Sequence, residues 1–296
     1  MIGFFLRIFA IARITLLEAM RQKVLNILVL FAVIAVSISV FQAQFSFEEQ
    51  IKSLKDYSFG VMTVFGLFIA LISTSYIIPS ELENRTIYTI LAKPVRRTEF
   101  LLGKYLGVVS LLALVTALMS VVFLITLFVQ EQMIIADTTT QISKQQISQV
   151  DKDQLLDRAI KDIYSRTRTT QVYQSILLVY ARLCIVASIA MLISTIASSA
   201  IFTVCTTFLI YVIGHMEGYA REVIMDPTER YGSFFKASQG VVSTLIPDMR
   251  QFVAIDEMSI GTEVSWVMTI GMLCYTVVYV VLAITMAATL FSEREL

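Results

Sequence analysis

Between Pro79 and Phe100 the sequence reads PSELENRTIYTILAKPVRRTEF, and its charged residues are spaced for a capped helix rather than for bond-breaking chemistry. Ser80 and Glu83 stand in the S-x-x-E relation of a capping box. The serine hydroxyl there accepts from the Glu83 amide, and the Glu83 carboxylate from the Ser80 amide. Glu81 and Glu83 fall where the positive end of a helix dipole favours acids, and Lys93 where the negative end favours a base. Pro94 biases Lys93 away from helical backbone angles, so a helix opening after Pro79 closes near Ala92. A helix of about twelve residues is marginal alone in water. Leu82, Ile87, Ile90 and Leu91 give this one apolar anchors, with Glu81, Arg85 and Tyr88 around them. It suits the groove of a partner or the membrane surface.

Residue types for covalent or metal chemistry are sparse. The single histidine, His215, has no Cys or His beside it, and Cys184, Cys205 and Cys274 sit singly in apolar runs without metal spacing. Gly103-Lys104 is followed by Tyr105 and lacks the upstream glycine loop that cradles phosphates. Neither G-x-S-x-G nor H-E-x-x-H occurs. An ATP site on this chain and an intramembrane enzyme are both poorly supported. Arg182 is the one charge inside an apolar segment, which makes it a candidate pathway residue. Snorkelling to the outer interface is its alternative role.

The elements that must position these residues are membrane helices. The chain of 296 residues is 57% hydrophobic and 16% charged, with a mean hydropathy of +0.77; soluble domains lie near about 45–50% and about 25%. A net charge of zero leaves no nucleic-acid footprint. Charge-free runs long enough for about 20-residue spans predict an all-α, polytopic protein with six transmembrane helices, at 24–42, 59–79, 104–129, 174–195, 199–215 and 264–290. The whole chain, 1–296, then reads as a single transmembrane domain. Nothing like a cleavage site follows the first run, so that span reads as an uncleaved anchor.

Residues 3–23 have helical periodicity, with Arg7, Thr15, Glu18, Arg21 and Gln22 on one side. They predict an N-terminal interfacial helix with its basic residues toward headgroups. The cations Arg7, Arg13, Arg21 and Lys23 before the first span, and Arg85, Lys93, Arg96, Arg97 and Lys104 after the second, place those segments and both termini in the cytoplasm. Segment 131–171 is then outside, with one short amphipathic helix through Leu155, Leu156, Ala159, Ile160 and Ile163. FFKASQGVVSTLIPDMRQF, before the last span, is too apolar for a free loop and too short to cross. It predicts a re-entrant or interfacial segment.

The stretch ELENRTIYTILAKPVRRTEFLLGKYLG resembles the hallmark of ABC-2 type permeases, the membrane subunits of one class of ABC transporters. The match lies at Glu81, Glu83, Thr86, Leu91, Pro94, Arg97, Phe100, Gly103 and Lys104, with Arg96 where a small serine is common. The N-terminal helix, six spans, LIPDMRQF and the charged FSEREL end are similar to that family's layout, whereas 131–171 is longer than usual. The resemblance implies an exporter subunit in a bacterial cell membrane, pairing with a second permease chain, identical or paralogous. It also implies a separate ATP-binding subunit that carries the ATP and Mg, with no cofactor or metal on this chain. The capped helix becomes a coupling helix to that subunit, with Glu81, Glu83, Arg85, Thr86, Tyr88, Lys93, Pro94 and Arg97 as its contact residues. Gly103-x-x-x-Gly107 becomes a helix-packing site, and membrane lipid is the remaining partner.

The rivals are an ion-coupled secondary transporter and an intramembrane enzyme. The first wants paired carboxylates at mid-membrane and repeat symmetry, and no Asp or Glu falls in any predicted span. The topology has a direct check. A cysteine placed at Glu83 should resist a membrane-impermeant thiol reagent in intact cells, while one placed at Asp157 should react; the reverse pattern contradicts the orientation.

Overall fold

The computed structural model describes residues 2–39, 47–76, 96–144, 149–197, 199–225, 246–255, 258 and 264–293. Among these, 93% are helical and none is in a strand. In chain order the elements are α1 (Ile2–Met20), α2 (Lys23–Ile38), α3 (Phe47–Ser75), α4 (Arg97–Ser143), α5 (Gln149–Thr167), α6 (Gln171–Ile196), α7 (Ala200–Met225), the 3-10 turn η1 (Met249–Val253) and α8 (Trp266–Glu293). The all-α class holds. The sequence predicts six spans; by length and composition the described residues supply four helical runs able to cross a membrane. They are Glu49–Ser75, Arg97–Ser143, Asp151–Ile196 and Trp266–Glu293, with a fifth if α1 and α2, bent by 71° to each other, form one broken span. The apolar part of α7, Ala200–Met216, is shorter.

Helix α6 is the most enclosed of the spanning helices and α8 the least. Leu178, Val179, Ile185, Val186, Ala187 and Ala190 of α6 are fully buried, among residues of α3, α4, α7 and α8. Large apolar side chains such as Leu30 and Phe31 of α2, Ile125 of α4 and Val267 and Val281 of α8 lie outward. In a bilayer these cost nothing, because lipid is as apolar as they are. Helices there associate by close packing and interhelical hydrogen bonds. Both devices are present. The Tyr105 hydroxyl donates to the Cys184 carbonyl at 3.0 Å and Tyr180 donates to the Val109 carbonyl at 3.4 Å, so α4 and α6 exchange a bond in each direction. Gly66 lets α3 lie against α6: a Cβ there would be 2.5 Å from Leu183 Cδ1.

The segment 131–171, predicted to carry one short helix, is helical over most of its described length, and the predicted helix is part of α5. α4 does not stop at the end of its predicted span but runs 47 residues, about 70 Å at 1.5 Å per residue. Its continuation and α5 form a hairpin tied down at its base. Buried Glu131 accepts from Thr167 Oγ1 at 2.6 Å and from Arg168 Nη2 at 2.7 Å. Lys55 Nζ of α3 donates to the Arg166 carbonyl at 2.9 Å, and Ile163 packs with Ile51 and Ile134. Of the apolar stripe on α5, Ile163 alone is fully buried, and Leu155 is exposed.

The described part of the segment expected to be re-entrant, 246–252, packs into the bundle with the residues that follow it to 255. Asp248 accepts from the Arg250 amide at 3.0 Å and starts η1, while its own amide donates to Tyr275 Oη at 3.0 Å. Met249, Phe252 and Ile255 are buried. Gly214 of α7 is notched against it: a Cβ there would lie 2.6 Å from the Pro247 carbonyl oxygen.

The tightest interior contact yields a test. Gly66→Val overpacks the α3–α6 seam, a change that typically costs about 1–3 kcal/mol. The thermal midpoint of the detergent-solubilised protein should fall, and Leu183→Ala in the same chain should restore part of the loss. An unchanged midpoint in Gly66→Val would contradict the packing.

Candidate functional site

The residues that follow the hallmark proline form a junction of three helices. Arg96, extended at φ −72° and ψ 146°, precedes the first turn of α4. Arg97 Nη1 donates to the carbonyls of Phe291 at 3.2 Å and Ser292 at 3.1 Å. Those are last-turn carbonyls of α8, which have no partner within their own helix, and a cation there also meets the negative end of the dipole. Beside this contact the buried rings of Phe100 and Phe291 stack with centroids 6.3 Å apart.

Two residues on, Glu99 is 1% exposed and accepts from Arg7 of α1 twice, from Nε at 2.8 Å and Nη2 at 3.0 Å. This fork-to-fork pairing is the strong form of the ion pair. Glu99 precedes the predicted third span. The Arg7 hydrogen bond holds its carboxyl below the usual carboxylate range, against the opposing pull of burial.

One helical turn further, the glycines bring α1 into contact. A Cβ on Gly103 would lie 2.7 Å from Ile11 Cβ, and one on Gly107 would lie 2.6 Å from Thr15 Cβ and 2.9 Å from the Ala12 carbonyl oxygen. Lys104 adds a longer contact, 3.8 Å from Glu18 Oε2, with its ammonium 5.7 Å from the centre of the Phe100 ring.

This geometry gives the polar side of α1 partners on α4. Arg7, Thr15 and Glu18 turn toward α4, although Arg7 and Glu18 stay partly exposed, and Arg13, Arg21 and the apolar residues Phe5, Leu6, Phe9, Leu17 and Met20 are exposed as well. The buried carboxylate of Glu99 and the glycine notch on α4 are those partners.

Of the residues singled out in the sequence, Arg97, Gly103 and Gly107 meet in this junction. Glu81, Glu83, Arg85, Thr86, Tyr88, Lys93 and Pro94 lie outside the described residues, as does the whole predicted helix over 81–92. Sequence reasoning passed over Arg7 as an interfacial cation and did not single out Glu99 or Phe291. The available signals were an acid in the first turn of a span and an arginine in an apolar helix.

Arg182 lies elsewhere. It is 8% exposed, on α6, and its Nη2 is 2.8 Å from His215 Nδ1 of α7. Arginine has no acceptor, so Nδ1 accepts and the imidazole proton is on Nε2. The guanidinium also lies 5.3 Å from the centre of the Tyr211 ring, and Tyr211 stacks on His215 at 5.9 Å. The arginine is directed between helices. Among the described residues no group of three His, Cys, Asp or Glu could hold a metal.

Residues 18–148, which take in the end of α1 and all of α2, α3 and α4, match the family described as ABC-2 family transporter protein. No curated protein matches the chain. The family match supports an ABC-2 type permease, the membrane subunit of an ABC transporter. With the apolar helices, it supports a multi-pass membrane protein.

The Arg7–Glu99 pair makes a pH-dependent prediction. A carboxyl whose folded pKa is lowered stabilises the protein above its unfolded pKa of about 4.3, and the contribution is lost as pH falls through the folded value. At neutral pH, Glu99→Gln should lower the thermal midpoint. Arg7→Gln added to it should cost little more, because the two share one interaction. The gap between parent and Glu99→Gln should close in acid; a gap that persists there contradicts the pairing.

Proposed function

Proceeding from the ABC-2 family domain over residues 18–148, we propose that this chain is the permease subunit of an ABC exporter. It pairs with a second permease chain, identical or paralogous, and with separate subunits that bind and hydrolyse ATP with Mg. All six predicted spans cross a cell membrane of bacterial type, with both termini and residues 80–100 in the cytoplasm. The helix over 81–92 is the coupling element, presenting Glu81, Glu83, Arg85, Thr86, Tyr88 and the Lys93-Pro94 stop to the ATPase subunit.

The observation that carries this reading is the junction at Arg97–Gly107. Immediately after the proposed coupling segment, Arg97 holds the end of α8, Glu99 holds α1 and the glycines seat α1 on α4. A push delivered to residues 81–95 therefore reaches the start of α4 already fastened to two other helices. Arg182, held between α6 and α7, is the residue proposed to face the pathway.

The proposal is tested by purifying the full chain from its native membranes and identifying what accompanies it by mass spectrometry. An ATP-binding cassette protein should co-purify. Its amount should drop with Ser80→Ala combined with Glu83→Ala, since losing a cap costs about 1 kcal/mol of helix stability. It should drop further with Glu81→Lys and Arg85→Glu, which put like charges across an interface. If no such protein co-purifies, or if it is retained fully by all of these variants, the coupling assignment is wrong.

A further inference from the structure

The outer side of α1 and the start of α4 enclose a groove of about 590 Å3, lined among others by Phe5, Leu6, Phe9, Arg13, Leu106 and Ser110. Its walls are apolar apart from two side chains. Ser110 already donates to the Leu106 carbonyl at 2.7 Å, so Arg13 is the polar group left to face an occupant. Among the described residues Arg13 is exposed and makes no ion pair. The aromatic wall is exposed too, Phe9 to 71%. A patch of this kind on a helix beside a membrane span meets lipid.

We propose that the groove binds an anionic phospholipid, with an acyl chain along Phe5, Leu6, Phe9 and Leu106 and its phosphate at the Arg13 guanidinium. Charge complementarity selects the occupant. A single arginine at the edge of an apolar groove between helices pairs with a phosphate through two parallel hydrogen bonds, and basic pockets between membrane helices bind anionic headgroups. The lipid also touches the junction. Ile8 and Ala12 line the groove, and their carbonyl oxygens lie against Gly103 and Gly107. An occupant therefore braces α1 onto α4 at the glycine notch. The inference rests on residence in a membrane and is independent of the transport assignment.

The test uses the full chain in vesicles of phosphatidylcholine, with part of that lipid replaced by a brominated species. A Trp266→Phe, Phe9→Trp chain carries its one tryptophan in the groove, and Trp266→Phe, Leu106→Trp serves if the first fails to fold. Brominated phosphatidylglycerol should quench that tryptophan more effectively than brominated phosphatidylcholine, by about fivefold, the effect of one arginine at an anionic surface. Arg13→Gln should bring the ratio to about one. The parent Trp266, at the far end of α8 from Phe291, should show no preference, and inorganic phosphate in the buffer should leave the groove ratio unchanged. Equal quenching by the two lipids overturns the proposal, as does loss of the preference on adding free phosphate. Absence of quenching by either lipid, with cysteines at residue 9 cross-linking between copies, also overturns it, because a second copy of the chain then fills the groove.

Discussion

A carboxylate that is 1% exposed stands at the start of α4, and Arg7 of α1 is what makes it tolerable there. A buried charge without a partner is strongly destabilising, whereas one held by two charge-assisted hydrogen bonds is sustained. Satisfying Glu99 requires α1 to lie against α4. That approach in turn requires residues 103 and 107 to have no side chain, since a Cβ at either would overlap α1. The apolar face of α1 then turns outward and the groove beside Leu106 opens. One ion pair thus fixes the orientation of a helix, the identity of two glycines and the character of a surface.

Arg97, two residues before Glu99, couples this arrangement to the last helix by holding the final carbonyls of α8. Three elements far apart in sequence, 2–20, 97–143 and 266–293, are therefore tied within two turns of helix. Away from this junction the bundle is held by weaker, more distributed means. These are tyrosine hydroxyls on neighbouring helix carbonyls, glycine seams at Gly66 and Gly214, and the Arg182–His215 contact between α6 and α7. The contrast has a physical meaning. In lipid the apolar surfaces supply no net drive for association, so the few polar contacts decide which helices move together.

The sequence made the helical class and the membrane setting legible, because uninterrupted apolar runs and the sparseness of charge leave few alternatives. The glycine spacing at 103 and 107 was legible as a packing site, and the structure gives its partner, α1. What periodicity could not give was the direction of the polar side of α1. The same stripe of Arg7, Thr15 and Glu18 serves headgroups or a buried acid equally well. The choice depends on Glu99, which is 92 residues away. Against six predicted spans, the described residues hold four helical runs able to cross a membrane, or five with α1 and α2 as one broken pair. The break of 71° between α1 and α2 falls where the sequence separates the N-terminal helix, 3–23, from the first predicted span, 24–42. The helix through Leu155 and Ile163 was legible by its apolar spacing, but the continuation of α4 beyond Gln130 was not, because its polar composition resembles a loop. Its helix is set by continuity with α4 and by the Glu131 clamp.

The central claim is that α1, the start of α4 and the end of α8 form one body. It is tested most directly by the distance between spin labels at Phe5 and Leu290, in a chain whose three cysteines are replaced by serine. One narrow distance distribution is expected in the reconstituted parent, and a broadened one in Glu99→Gln. A distribution that is already broad in the parent, or that keeps its width in Glu99→Gln, would contradict the account.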